Sequence, residues 1–454
     1  MQYISTRGAA PVLGFDDVLL EGLAVDGGLY VPSEFPVFEL PETGDYAAVA
    51  SAVIRPFVTG SVIEPHLDEM VRSVYDGFRH PEVARLWEVS AGHHLLELFW
   101  GPTLSFKDYA LQFVGSAFDA VLGARGATAT VLGATSGDTG SAAIEALAGR
   151  PAVQVVILYP HGRVSDVQRL QMTTVAAENV RAVAVEGTFD DCQALVKQAF
   201  STPSLRVAHR LAAVNSINWG RVMAQTVYYA WTGMRLATPF DVAVPTGNFG
   251  NVLAADVARR GGVPIERLVV GTNANHGLVD IIDRGRAETA AVVPTIAPAM
   301  DIRVPSNFER YLFELVGRDG AAVANAMSLL ATEGRLVLDE GAHGAMRERF
   351  TGHWYGEGEI EEAIHRFRLV TGETIDPHTA IGWMAGVAER GDRPMVSVAT
   401  AHPAKFGDAV RRATGVTPEL PDDLADLAER PERSRTIAAD LDSVVRVLDE
   451  LPRS

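Results

Sequence analysis

The sequence predicts an α/β protein built around a buried, mostly parallel sheet. Five short runs rich in apolar and β-branched residues recur through the middle of the chain: Thr128–Leu132, Val153–Leu158, Val180–Val185, Asp241–Val244 and Leu268–Val270. They are largely continuous rather than alternating, as expected of strands covered on both faces. Helix-like stretches lie between them, among them Ser141–Ala148, Asp190–Phe200 and Val252–Arg260. That alternation is the pattern of βαβ units.

Residues 1–85 read as a small leading domain. Asp26-Gly27-Gly28 and Pro32, Pro36 and Pro41 mark turns, Tyr46–Thr59 and Pro65–Tyr75 are helix-like, and the segment ends near His80-Pro81. His93, His94 and Glu97 have a metal-like spacing, but the interleaved Leu95, Leu96, Leu98 and Phe99 indicate a strand, and no metal site is assigned. Toward the end, Met395–Ala399 is a further apolar run. Beyond Pro421, Asp422–Glu429 and Ile437–Leu451 read as helices of a tail, residues 421–454, packed on the outside.

Composition bounds the function. At 454 residues, with 47% hydrophobic and 21% charged, this is an ordinary soluble composition, long enough for two or three domains at roughly 150 residues each. A single cysteine, Cys192, excludes an intrachain disulfide and a multi-cysteine zinc site; it reads as a packing residue in a reducing compartment. With 57 acidic against 39 basic residues, the net charge is −18. That balance argues against a nucleic-acid or anionic-membrane partner, since both favour basic surfaces. No apolar run approaches the ~20 residues needed to span a bilayer, and the start, MQYISTRG, carries Arg7 with no signal-like stretch behind it. A cytoplasmic protein is expected, whose oligomeric state the sequence leaves open.

Three segments carry chemistry. In Asp241-Val-Ala-Val-Pro-Thr-Gly-Asn-Phe-Gly-Asn251 a strand ends, a loop with two glycines turns, and a helix begins. Free N–H groups and the helix dipole there converge on one spot, which suits a phosphate; the alternative is a tight turn capped by Asn251. Gly133-Ala-Thr-Ser-Gly-Asp-Thr-Gly140 repeats the strand–loop–helix plan with hydroxyls at Thr135, Ser136 and Thr139, a second anion socket or a plain N-cap by Thr139 or Asp138. No G-x-x-x-x-G-K-[ST] occurs, which weighs against a P-loop nucleotide enzyme. In Gly101-Pro-Thr-Leu-Ser-Phe-Lys-Asp108, Lys107 falls at the start of a helix, where cations are disfavoured and the neutral amine is promoted. A neutral amine forms Schiff bases; the plain alternative is a surface lysine paired with Asp108. Two anion sockets and an imine-forming lysine together are what a pyridoxal-phosphate enzyme requires.

Thr103-Leu-Ser-Phe-Lys-Asp108, preceded by Glu97, resembles the lysine segment of the tryptophan-synthase-like (fold type II) pyridoxal-phosphate enzymes. More narrowly, the chain resembles the long-form threonine synthases. The matching segments are Glu21–Tyr30, Gly101–Asp108, Ala134–Gly140, Asn215–Trp219, Pro245–Asn251, Pro305–Glu309, Asp376–Thr379 and Ala399–Phe406, in family order over nearly the whole chain. The resemblance implies two parallel-sheet α/β subdomains with the cofactor between them. The catalytic part would span 86–420, with the smaller subdomain, about 128–235, inserted in the larger. It implies that Lys107 carries the cofactor and that Gly247, Asn248, Phe249, Gly250 and Asn251 bind its phosphate. Asp138 would face its ring, where relatives often have asparagine, and Thr400 would meet the pyridine nitrogen. Thr135, Ser136, Gly137 and Thr139 would meet the substrate carboxylate.

The implied reaction converts O-phospho-L-homoserine and water to L-threonine and phosphate, by γ-elimination and then addition of water at Cβ. Donors for the substrate phosphate would come from Arg163, Ser165, Asn215, Ser216, Asn218, Arg221 and Lys405; arginine suits bidentate phosphate binding. His378 divides between pocket lining and a structural turn. A threonine-synthase-like phospho-lyase, a serine/threonine dehydratase and a catalytically silent metabolite binder are the competing readings.

Overall fold

The computed structural model of the chain describes residues 1–302 and 304–451. Two sheets organise it. The larger has six strands in the order Phe350–Trp354, Ile265–Thr272, Phe240–Pro245, Met395–Ala399, His93–Glu97 and Arg85–Ser90. All neighbours are parallel except the last pair, so only the edge hairpin departs from the plan. The smaller has five parallel strands, Ser434–Ala438, Val180–Glu186, Val153–Pro160, Ala129–Ala134 and Leu211–Ala212. Central strands are buried at every position in Phe240–Pro245 and Met395–Ala399, which is why they read as unbroken apolar runs. His93 and His94 lie on a strand as read, with His93 bonded to Ser397.

Two corrections concern the tail. Asp422–Glu429 forms two short 3₁₀ turns instead of a helix. Ile437–Leu451 begins in a strand, Ser434–Ala438, before the helix Leu441–Asp449. That strand pairs with Val180–Glu186, and Val444, Val447 and Leu448 pack with Val183, Val185 and Cys192 in the smaller sheet's core. The smaller sheet is therefore completed from the far end of the chain, and its Leu/Val periodicity is inward packing. The last three residues of the predicted tail lie outside the described residues.

The leading segment shares the main core. Phe57 packs edgewise on Trp219 and Tyr3 packs on it at a tilt, and Tyr46 packs edgewise on Tyr75, Tyr109 and Trp231. These rings clamp the helices Lys107–Ala124 and Trp219–Leu236, both of which open at the site. Both sheets point their carboxyl ends at one cleft, where α/β ligands sit.

Candidate active site

Lys107 is the first residue of its helix, as read, but it is buried and pairs with Asp138 rather than Asp108. Its Nζ donates to Asp138 Oδ2 at 3.2 Å and stands 4.7 Å from the centre of the Phe106 ring. Burial holds its basicity below that of an ordinary lysine, with Asp138 opposing and Arg221 and Lys405 assisting. The turn before it is fixed by Asp108, which accepts from Thr103 N (2.8 Å) and Thr103 Oγ (2.6 Å). Leu104 takes φ 64° there, and Phe106 N donates to Thr400 O at 2.8 Å. The lysine is thereby held against the end of Met395–Ala399.

Lys107 opens on a cleft at the carboxyl ends of the strands. Phe106, Asp138, Thr139, Ser216, Arg221, Gln225, Pro245–Asn251, Ala299, Met300, His378 and Thr400 line it. The structure thus brings together Lys107, Asp138, the whole 247–251 turn, Thr400, Thr139, Ser216 and Arg221. His378 does both things expected of it: it lines the cleft, and its Nδ1 donates to the buried Asp376 at 2.6 Å while Nε2 accepts from Ala299 N.

Several sequence candidates have other duties. Lys405 is fully buried, donates to Thr103 O (2.6 Å) and Gln171 Oε1 (2.7 Å), and pairs with Asp138 Oδ1 at 3.2 Å. Its ammonium is already satisfied and does not line the cleft. Arg163 is exposed on the loop after Val153–Pro160, away from the cleft lining. Ser165 caps the helix Asp166–Thr173 in a reciprocal box with Gln168. Asn218 caps Trp219–Leu236 and donates to Leu19 O, and exposed Asn215 accepts from Ile217 N. Thr135 turns inward: its Oγ accepts from Gly137 N and Gly140 N, so it shapes the turn rather than faces a ligand. Ser136 and Gly137 are likewise absent from the lining, and Gly137 (φ 137°) packs on Gln168, where a Cβ would lie 2.3 Å away. Neither Thr139 nor Asp138 caps the helix Asp138–Leu147.

Sequence reading missed Gln225, whose buried Oε1 has no partner among the described residues, and Gln168, whose Nε2 donates to Asp138 Oδ1 at 2.9 Å. Gln225 lies four residues from Arg221 on one helix, a spacing that puts both on one face.

A family model for pyridoxal-phosphate dependent enzymes matches residues 95–347. Models for the threonine synthase N terminus and C-terminal region match 2–75 and 379–448. A threonine synthase of Pseudomonas aeruginosa is 45% identical over 98% of this chain and 97% of its own length. The chain belongs to the threonine synthase family. The PLP-bound threonine synthase of Brucella melitensis, 45% identical, superposes over 100% of both chains with a TM-score of 0.97. The yeast threonine synthase, 36% identical, covers 99% of this chain and 98% of its own with a TM-score of 0.92.

The cleft fits the cofactor of this family. Gly247 lies so close to Ala299 O that a Cβ would sit 2.4 Å from it, and Phe249 takes φ 65° to turn the backbone into the helix Gly250–Arg260. That helix has no side-chain cap, so its first N–H groups are free for a phosphate. Asn251 is held by Tyr228 and Tyr229, whose hydroxyls donate to its Oδ1, and its buried Nδ2 has no partner among the described residues. Arg221 is a second, distinct source of donors. Its Nε and Nη1 are buried without partners, no carboxylate pairs with it among the described residues, and burial lowers its basicity to about 10.

Proposed function

We propose that this member of the threonine synthase family converts O-phospho-L-homoserine and water to L-threonine and phosphate, with Lys107 as the cofactor-bearing residue. One observation carries the substrate assignment: Arg221, a buried cation with no anion among the described residues, opens on the same cleft as Lys107. A guanidinium left bare in a buried site is costly unless a ligand supplies the charge, and a phosphate matches its fork.

Pyridoxal phosphate, when bound, supplies an electron sink for negative charge at the substrate's Cα. The 247–251 turn and the head of its helix would hold the cofactor phosphate, and the Thr400 hydroxyl would be the partner for its pyridine nitrogen. A hydroxyl, unlike a carboxylate, does not enforce a positive nitrogen there. Arg221 and Ser216 bind the substrate phosphate. Thr139, on the turn shaped by Thr135, faces the substrate carboxylate. Lys107, whose neutral form burial favours, takes and returns the proton at Cα. The net charge of −18 does not oppose this, because exposed charges are screened beyond about 10 Å while the cleft donors are in contact. Among the described residues no helix is long and apolar enough to cross a membrane; the single buried Cys192 agrees with a cytoplasmic setting.

Turnover of O-phospho-L-homoserine tests this. The wild type is expected to release threonine and phosphate in equal amounts, and Lys107→Ala to lose at least about a thousandfold in rate, as expected for loss of a covalent and acid–base residue. Formation of 2-oxobutyrate without threonine would reassign the chain to a dehydratase or phospho-lyase. Absence of a visible absorbance band with pyridoxal phosphate would make it a silent binder.

A further inference from the structure

Among the described residues, Asp138 is the only carboxylate lining the cleft. It is fully buried beside Lys107, where an unbalanced negative charge would hold the lysine and anything attached to it in the protonated form. The structure gives it a second cation from the opposite side: Lys107 Nζ lies 3.2 Å from Oδ2, and Lys405 Nζ lies 3.2 Å from Oδ1. Gln168 adds a donor to Oδ1 at 2.9 Å. Lys405 is itself immobilised by Thr103 O and Gln171 Oε1, so its ammonium cannot swing into the cleft without abandoning both.

We propose that Lys405 is a positioning residue that neutralises Asp138, so that the pair presents Lys107 and its bound cofactor with the polarity of an amide rather than a net negative charge. The charged and titratable groups around this centre are Lys107, Lys405, Arg221, His378, His402 and Asp108. Burial pushes the Asp138 carboxyl up, but Lys107 and Lys405 outweigh it and hold the carboxyl far below its ordinary value, so it stays ionised through the working range. Lys405 then determines how much of that negative charge Lys107 feels.

The inference rests on Lys107 being the attachment residue, which Lys107→Ala tests separately: it must abolish the visible band. In the holoenzyme, the pH midpoint of the band reports protonation at the Lys107–cofactor linkage. Lys405→Met exposes the full charge of Asp138 and is expected to move that midpoint up by about one pH unit or more. Asp138→Asn is expected to move it down by a similar amount, because Lys405 then faces the linkage uncompensated. Asp138→Asn combined with Lys405→Met is expected to lie above Asp138→Asn alone and nearer the wild type. If Lys405→Met does not fold, the comparison of the Asn single with the double variant still isolates the Lys405 charge. Should that double not fold either, the rate of cofactor uptake by the Asp138→Asn apoenzyme must reach half-maximum at lower pH than in the wild type. The proposal is overturned if Lys405→Met leaves the midpoint within about 0.3 pH units of the wild type, if the single Asn and double variants coincide, or if Asp138→Asn does not move uptake to lower pH.

Discussion

Lys405 and Arg221 are both buried cations within reach of one cleft, and they are furnished in opposite ways. Lys405 has a carbonyl, an amide oxygen and a carboxylate within 3.2 Å. Arg221 has two buried N–H groups with no partner among the described residues. Arg310 shows that the fold can satisfy a buried guanidinium when it needs to: Tyr30 O and Ile217 O accept from Nε and Nη2, and Asn307 accepts from Nη1. The contrast separates a charge used to build the site from one kept for a ligand. The first should cost stability when removed and the second should cost binding.

Removing the furnished cation should have the largest effect on folding. Lys405→Met leaves Asp138 short of a partner and is expected to lower unfolding free energy by roughly 3–5 kcal/mol in urea titration of the apoenzyme. Arg221→Leu, measured in the same phosphate-free buffer, is expected to cost less than about 1 kcal/mol or to stabilise. Equal losses from the two would erase the distinction.

The next effect is a pH dependence near Lys405. Burial pushes the Asp108 carboxyl up to about 6, against the hydrogen bonds from Thr103 and the charge of Lys405. Its folded value lies above its unfolded one. Its contribution to stability is therefore complete below about pH 4 and is lost as pH rises through 6, by at most about 3 kcal/mol. Asp108→Asn should flatten that limb of the stability–pH curve, and Lys405→Met should extend it to higher pH.

The smallest effects fall on the two loop candidates with no place in the cleft. Ser165→Ala should cost about 1 kcal/mol of stability as a lost cap, with kcat/KM unchanged. Arg163→Ala should change both by less than about 0.5 kcal/mol. A large kinetic effect from either would mean that the loop after Val153–Pro160 folds over bound substrate.

These assignments show where sequence was informative. Phe240–Pro245 and its glycine turn were legible because a buried parallel strand and a helix head leave strong local marks. Lys107 was legible through its neighbours. Its partner was not, since Asp138 lies 31 positions away at the head of the helix Asp138–Leu147, while Asp108 beside it points back into its own turn. The roles of Lys405 and Arg221 were equally hidden, as both are simply cations near matching motifs. Only the positions of Thr103, Gln171 and Asp138 tell them apart. The strand Ser434–Ala438 escaped because it is short and exposed except at Ile437, and its pairing partner is some 250 residues earlier.

The kinetics of Arg221→Gln with O-phospho-L-homoserine bear most directly on the central claim, that the unfurnished cation receives the substrate phosphate. The expected result is a fall in kcat/KM of about a hundredfold or more, corresponding to roughly 3 kcal/mol, with the visible cofactor band retained. An unchanged kcat/KM would contradict the claim, and loss of the band would reassign Arg221 to the cofactor.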